Sequence, residues 1–464
     1  ILTYGGSLEM ARKVCMFVHN NFLHDTRVLK EARSLASSGY DVTVLAALDK
    51  KSKPFEELHG IKVIRVKIPI YYRIFCLTIE CLQRIKKGLM KFVSRDVTQL
   101  HLPNGAARHN KKNGAQEIAS QTGINKPEVN RIITHDLQQK LLGLLMSVHK
   151  LFSLMDYYMR CCRVADNQAD IYHANDLNTL PVAWWIARRH GAKLVYDSHE
   201  LYLEKNMLRL SNRIGKFLLA RLEAFLIRRT NAVITVNESI ADELSRLYRV
   251  RTPTVVMNAP SRITRRINRN GNLLRGALNI KPDYRILLYI GLLTFNRGLE
   301  KMIESLRYLP HCYLVLMGYG TEAYKKRLWK VALRNGIESR VSFFGPVPPD
   351  DVIMYAAGAD LGVAPIENSC LSYYYCSPNK VFEYINAGLA VVASDFPEMR
   401  RVINLHNIGC TFDPNDPGNI ARAVNYVFED AERWRKMKQN TFAASQCYNW
   451  ENESEKLLNL YRTL

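Results

Sequence analysis

Three things are scarce in this chain of 464 residues. Long apolar runs are missing: the longest stretch near a hydrophobic peak without charge or proline is about Leu141 to His149. A bilayer-crossing helix needs roughly 20 residues, so nothing here is expected to span a membrane. Ordered cysteines are missing too. Ten are present, with Cys161 beside Cys162, but there is no C-x-x-C pair and no regular spacing, which points away from a disulfide framework or a zinc site and toward a reducing cytosol. Acidic residues are few, 43 Asp+Glu against 65 Lys+Arg, leaving a formal charge of +22. What is present is otherwise ordinary: 47% hydrophobic and 23% charged residues exclude disorder and a fibrous repeat. The length predicts two domains of roughly 200 residues. The opening residues through Gly5-Gly6-Ser7 resemble an added linker, Met10 is the expected native start, and no secretory signal follows.

The charge is unevenly distributed. Residues 1–60 hold 8 basic and 7 acidic residues, 61–165 hold 18 and 6, 166–282 hold 19 and 10, and 283–464 hold 20 and 20. A basic half joined to a neutral half predicts an anionic surface or polymer against one side only. From Tyr71 to Val93, Ile74, Phe75, Leu82, Ile85, Leu89 and Phe92 recur at helical spacing with Arg73, Arg84, Lys87 and Lys91 on another face. That is the pattern of a basic amphipathic helix lying in a lipid headgroup layer. Leu137 to Val164 is a second apolar-rich segment with Lys140, Lys150, Arg160 and Arg163, equally compatible with a core helix. Ser94 to Asn130 reads as a polar loop or insertion. Nucleic acid is disfavoured, since no RNA-binding aromatic motif, zinc finger or helix-turn-helix cue occurs.

Val14–Val18 reads as a strand, Asn20–Asp25 as a turn, and Val28, Leu29, Ala32, Leu35 and Ala36 as the apolar face of a helix stopped at Gly39, before a second strand at Val42–Leu45. The alternation recurs at Ile171–His173, Leu194–Tyr196, Val233–Val236 and Val255–Met257. A second series follows at Ile286–Ile290, Tyr313–Met317, Val341–Phe343, Leu361–Ala364 and Ala390–Ala393. The expected class is α/β, with two doubly wound Rossmann-like domains in tandem joined within Ser261–Gly276. In such sheets ligands bind beyond the carboxyl ends of the strands.

Those ends carry the chemical candidates. Gly291 closes a strand, and Arg297-Gly298 opens the next helix, where a guanidinium can meet a pyrophosphate. Gly318-Tyr319-Gly320 follows another strand. In Ser377-Pro378-Asn379-Lys380-Val381-Phe382-Glu383, Pro378 suits a helix entrance and Lys380 and Glu383 lie three apart on one side. The plain reading of that pair is a surface ion pair. The sharper one is a nucleotide clamp, with ammonium to phosphate and carboxylate to ribose.

Together with Ala387-Gly388-Leu389-Ala390-Val391-Val392-Ala393-Ser394-Asp395, these segments resemble the retaining family 4 glycosyltransferases of GT-B fold. So do His24-Asp25-Thr26-Arg27-Val28-Leu29-Lys30-Glu31-Ala32, His173-Ala174-Asn175-Asp176 and Tyr196-Asp197-Ser198-His199-Glu200-Leu201. The resemblance covers nearly everything except about 70–165, in the same motif order. It implies an N-terminal acceptor-side domain over 12–262 with a basic amphipathic insertion at about 70–165, a nucleotide-sugar domain over 283–445, and a C-terminal helix over 446–464 packing back on the first. It implies that Arg297 and Lys380 hold the donor diphosphate and that Glu383 binds the ribose, with Gly291, Asn379, the Gly318-x-Gly320 loop and the backbone near Val347 also on the donor side. His199 would be the active-site histidine facing the donor sugar, with Asp25, Arg27 and Asp176 on the acceptor side.

Two positions depart from the family pattern: Tyr375 stands where a glutamate often contacts the donor sugar, and Leu292 stands where many members have arginine. The alternative they suggest is a nucleotide-sugar-binding scaffold with weak or no turnover. No D-x-D spacing is present to hold a divalent ion, so no metal and no cofactor are expected, and the fixed cations Arg297 and Lys380 would stabilise the leaving group. No pair of carboxylates suits a retaining glycosidase, and no additional acid–base residues suit an epimerase. The expectation is a UDP-linked donor, retention, a lipid-linked saccharide acceptor at an anionic membrane surface, and a cytoplasmic, peripheral location at the inner face of the membrane.

Overall fold

A computed structural model describes residues 11–23, 25–67, 152–165, 169–204, 213–262 and 273–464. The chain forms two compact units, one of Ile1–Leu45, Glu56–Val63 and Gln168–Leu464 and the other of Ala46–Phe55 and Ile64–Asn167. The first holds both expected sheets. Among the described residues no helix is long and apolar enough to cross a membrane.

The first sheet has eight strands: β1 (Lys13–Phe17), β2 (Asp41–Leu48), β3 (Phe55–Leu58), β4 (Ile61–Lys67), β5 (Ile171–Asn175), β6 (Lys193–Ser198), β7 (Ala232–Thr235) and β8 (Thr254–Val255), in the order β3-β4-β2-β1-β5-β6-β7-β8. β1 pairs in parallel with both β2 and β5. Its four apolar residues are all buried, the continuous run required of a strand covered on both faces. The chain order reverses between β1 and β5, so the crevice at their carboxyl ends is where a ligand belongs. The helices of this layer are α1 (Thr26–Ser37), α2 (Leu180–His190), α3 (Arg213–Ile227) and α4 (Glu238–Tyr248). The β3–β4 hairpin escapes the sequence reading because its signal is a two-residue turn, His59-Gly60, in which both residues have positive φ, 53° and 77°.

The second sheet comprises β9 (Arg285–Ile290), β10 (Cys312–Met317), β11 (Val341–Phe344), β12 (Leu361–Ala364), β13 (Ala390–Ser394) and β14 (Gly409–Phe412), in the order β11-β10-β9-β12-β13-β14. Every pairing is parallel, and the reversal falls between β9 and β12. Around it lie α5 (Leu273–Ala277), α6 (Leu299–Ser305), α7 (Glu322–Arg334), α8 (Val352–Ala356), α9 (Leu371–Tyr374), α10 (Asn379–Ala387), α11 (Pro397–His406), α12 (Pro417–Phe428), α13 (Ala431–Cys447) and α14 (Trp450–Thr463). β14 was missed in the sequence because Gly409-Cys410-Thr411-Phe412 is only half-buried and short of apolar residues. Two Rossmann-like α/β layers are therefore present, as the alternation of strands and helices predicts.

α14 returns to the first layer. Its Trp450 donates from Nε1 to Ser34 Oγ at 3.0 Å, Glu453 accepts from the Met257 amide at 2.8 Å, and the Tyr461 hydroxyl lies 2.6 Å from His173 Nδ1. The amphipathic segment at 71–93 lies outside the described residues, as does the polar stretch at 94–130. Of the second segment, 152–164 is helical. Tyr157 and Cys161, one turn apart, are buried, whereas Phe152, Met155 and Met159 are exposed.

Candidate active site

The donor-side geometry starts at the second topological switch. The Tyr384 hydroxyl accepts from the Ile290 amide at 3.0 Å and donates to the Val363 carbonyl at 3.0 Å, pinning α10 to β9 and β12. Val381, Phe382 and Ile385 on the same helix are buried. This fixes the helix that carries Lys380 and Glu383. Lys380 is only 8% exposed. Its Nζ lies 4.9 Å from the centre of the Tyr289 ring and 3.5 Å from the point a Cβ on residue 291 would occupy. Gly291 thus leaves room for the ammonium.

Gly298 caps α6 at φ 67°, and a Cβ there would sit 1.7 Å from the Pro365 carbonyl oxygen. Glycine alone lets this loop press against the end of β12, and the press sets the height of Arg297. The Arg297 guanidinium lies over the Tyr373 ring, 4.8 Å from its centre. Its Nε is buried with no hydrogen-bond partner.

Burial first, and the Arg297 charge second, push Lys380 down to about 8, with Glu383 opposing. Burial raises Glu383, against Lys380 and Lys30. Among the described residues neither Lys380 nor Arg297 has a carboxylate within ion-pair distance, and each lies in the other's field. Such a pair is electrostatically costly unless an anion joins it.

Gly318 and Gly320 are required by local packing. A Cβ on Gly318, at φ 146°, would fall 2.0 Å from the Gly291 carbonyl oxygen, and Gly320 bridges Leu293. The glycine pair packs one strand-end loop against another. Val347 is half-buried against the apolar core.

On the acceptor side, Asp25 caps α1, accepting from the Val28 amide at 3.2 Å through Oδ1 and from Asn20 Nδ2 at 2.8 Å through Oδ2. Arg27 is buried. It donates from Nε and Nη2 to the two Asp197 oxygens, each at 2.9 Å, and from Nη1 to the Val256 carbonyl at 2.6 Å, with Glu31 at 3.1 Å. Burial opposes its charge, but Asp197 and Glu31 overcome that and hold it above the usual arginine range. Three of its five N–H donors are engaged in hydrogen bonds, so this guanidinium ties α1 to β6 and to the residue after β8 while still lining the cleft.

His199 donates from Nε2 to Asp197 Oδ2 at 3.0 Å, and its Nδ1 is 4.0 Å from Asp176 Oδ2. Burial disfavours the imidazolium, yet the two carboxylates prevail and raise His199 to about 9. At neutral pH it is therefore a cation and a hydrogen-bond donor. Asp176, at φ 64°, accepts from the His199 amide at 3.4 Å and so positions the histidine.

Glu31, His173 and Asp197 bring ligand atoms close enough to surround a metal ion. The Arg27 guanidinium, bonded to Asp197 and paired with Glu31, already supplies the cation. Burial pushes His173 down to about 4, which leaves it neutral, but Arg27 already holds both oxygens of Asp197. The donor set does not fit a metal without ejecting an arginine.

A cleft of about 540 Å³ joins the two sides, with Asp25, Arg27 and His199 lining one wall and Arg297 and Asn379 the other. Lys380, Glu383, Gly291, Gly318, Gly320, Val347 and Asp176 are not among the residues lining it. The wall also includes Asn258, Tyr373 and Ser377, to which the sequence reading gave no role. Asn258 Oδ1 and Ser377 Oγ, like Arg297 Nε, are buried without a hydrogen-bond partner. Ser377 could have been suspected, one residue ahead of Pro378 at a helix entrance. Asn258 follows a very short strand and gives no sequence signal. Tyr375, off the wall, offers its carbonyl to Asn237 Nδ2 at 2.7 Å, and this contact ties the layers together. Leu292 is exposed.

Three family models match the chain in succession: a glycosyl transferase 4-like model over residues 13–123, a glycosyl transferase 4-like domain over 135–260, and glycosyl transferases group 1 over 272–443. An uncharacterized glycosyltransferase of Methanocaldococcus jannaschii is 24% identical over 247 residues, 50% of this chain and 59% of that relative. A D-inositol 3-phosphate glycosyltransferase of Corynebacterium urealyticum is 24% identical over 313 residues, 64% of this chain and 72% of the relative. The structure of HepE from Anabaena in complex with UDP and glucose superimposes with a TM-score of 0.63 at 16% identity, covering 98% of this chain and all of that one. With models spanning both layers and a matching fold, the chain belongs to the group 1 glycosyltransferases of GT-B fold, enzymes that act on nucleotide-sugar donors.

Proposed function

We propose that this chain transfers a sugar from a UDP-linked donor to a lipid-linked saccharide at a membrane surface, with retention of configuration and without a metal ion. The observation that carries the donor half is the set of unsatisfied groups in one cleft. Arg297 Nε, Ser377 Oγ and Asn258 Oδ1 are buried and unpartnered, and Lys380, with no carboxylate within ion-pair distance among the described residues, carries a charge that burial and Arg297 disfavour. A diphosphate between Arg297 and Lys380 relieves their repulsion and satisfies buried donors. Glu383, one turn along α10 from Lys380, would bind the ribose hydroxyls. UDP is favoured because HepE, of like fold, is seen with UDP and glucose.

In the reaction the bond between the anomeric carbon and the β-phosphate oxygen breaks, and its electron pair leaves with UDP. Arg297 and Lys380 stabilise that growing charge as preorganised cations, in the role a divalent ion plays elsewhere. His199, protonated and held by Asp197, donates to the donor sugar. The acceptor oxygen forms the new bond to the anomeric carbon on the face the phosphate leaves, giving its proton to that departing phosphate, which yields retention. The acceptor reading rests on the basic excess of residues 1–282 and on a cleft whose N-terminal wall opens on the first sheet.

Titration calorimetry with UDP and GDP on the wild type, Lys380→Ala and Glu383→Ala tests the donor site, followed by turnover of UDP-sugars in EDTA. Both variants should lose UDP binding, and EDTA should leave turnover unchanged. Undiminished binding in both variants refutes the site. Activity abolished by EDTA refutes the metal-free mechanism, and binding without any turnover across an acceptor panel favours the scaffold alternative.

A further inference from the structure

Among the described residues, nothing covers the outward face of α3. Phe217, Leu218, Leu222 and Phe225 are exposed, Leu218 by 61% and Phe217 by 56%. On a helical wheel they share one side with Arg221 and Arg229. The arginines lie against the rings: the Arg229 guanidinium is 3.5 Å from the Phe225 ring centre and that of Arg221 is 5.0 Å from Phe217. Phe225 in turn meets Trp184 of α2 edge-on at 5.5 Å, and the next residue of α2, Trp185, is 58% exposed. Neither helix presents an acidic side chain outward. α2 has none, and the single acid of α3, Glu223, is buried, where it accepts from the Tyr196 and Tyr248 hydroxyls at 2.9 and 2.7 Å. These inner bonds hold the helix down while its apolar side faces solvent.

We propose that the paired faces of α2 and α3 are a docking surface for an anionic lipid bilayer. Large apolar and aromatic side chains interleaved with arginines, and no acid among them, match a headgroup layer: the rings and leucines enter the acyl boundary while the guanidinia stay with lipid phosphates. A second copy of this chain is a poorer occupant, because a two-fold contact would set these arginines against one another. Lys216, on the opposite side of α3, pairs with Glu204, and the cleft residue Glu200 accepts from Ser372 Oγ at 3.0 Å, so the inner side of the helix is tied down. The inference deepens the acceptor reading above and rests on it for its purpose.

The test is co-sedimentation of the full chain with phosphatidylcholine vesicles with and without phosphatidylglycerol, alongside UDP calorimetry without vesicles. Binding should require phosphatidylglycerol and weaken with salt. Arg221→Gln with Arg229→Gln should lower partitioning roughly 20- to 30-fold. Phe217→Ser with Leu218→Ser should lower it at least about tenfold. UDP affinity should be unchanged in both variants. Wild-type partitioning by both variants would overturn the proposal, because other basic segments would then carry the binding. It would also be overturned if sedimentation showed a dimer that the serine variant dissolves. If vesicle binding behaves as expected and UDP fails to bind, the lipid surface stands and the transferase reading falls.

Discussion

Lys380→Met separates stability from function. Lys380 is buried, and its ammonium is brought down from 10.5 to about 8 by desolvation and then by Arg297. In the unfolded chain it titrates near its ordinary value, so at neutral pH the folded protein holds a charge that its surroundings disfavour. A depression of that size corresponds to about 3 kcal/mol. Methionine has a similar length and can lie against the Tyr289 ring without the charge, so the variant should be more stable at pH 7 by up to about 3 kcal/mol.

The advantage has a defined pH window. Between pH 8 and 10.5 the unfolded wild type binds more protons than the folded one, so wild-type stability rises with pH and the variant's lead shrinks. Urea denaturation of both proteins at pH 7 and pH 10 measures this, and UDP calorimetry on the same samples should show binding weakened roughly 10- to 100-fold from the lost charged hydrogen bond. A variant no more stable than wild type at pH 7, or a lead that does not shrink toward pH 10, refutes the reasoning.

Asp197→Asn leaves Arg27 buried with half its partners gone and should cost about 3 to 5 kcal/mol; an NMR titration should show His199 falling from about 9 toward its ordinary value, and an unmoved His199 would contradict the assigned cause. Gly298→Ala places a Cβ 1.7 Å from the Pro365 carbonyl oxygen at φ 67°, which should lower the melting temperature by several degrees or more and weaken UDP binding with it. Tyr461→Phe removes the 2.6 Å contact to His173 at a cost of about 1 kcal/mol in thermal denaturation, with UDP affinity unaltered.

The repeated strand–helix pattern made the sheets legible, because buried parallel strands are written as unbroken apolar runs such as Ile286–Ile290. Strands without such runs were not. β14 is half-buried, and the β3–β4 hairpin depends on the backbone conformation of His59-Gly60. For the site, residue type at a strand end was informative where the side chain had no competing partner. Lys380 and Arg297 could be singled out because a cation at a helix entrance suits phosphate. Arg27 looked equivalent in the sequence. Its role is decided by Asp197, 170 residues away, and Glu31, which no local pattern pairs with it. Gly318 and Gly320 stood out as a glycine pair after a strand, but their close approach to Gly291 and Leu293 is a long-range contact that no local pattern shows. Asn258 belongs to the cleft only because β8 ends there.

The cations around the cleft divide by whether their charge is met within the fold. Arg27 is met by Asp197 and Glu31, and His199 by Asp197 and Asp176, so both keep their protons and their positions with the cleft empty. Among the described residues Arg297 and Lys380 have no carboxylate within ion-pair distance, and although Glu383 opposes the shift, Lys380 is driven down to about 8. A bound diphosphate would restore the Lys380 proton and raise its pKa, so UDP binding above pH 8 must take up a proton. If the bound lysine titrates above 10, apparent affinity should fall about tenfold between pH 7 and pH 9, because only about a tenth of the free protein is then protonated at that position. Calorimetry in buffers of different ionisation enthalpy reads the proton uptake directly. An affinity flat from pH 7 to 9 in the wild type would place the diphosphate away from Lys380, and the same flat profile is the expected behaviour of Lys380→Met.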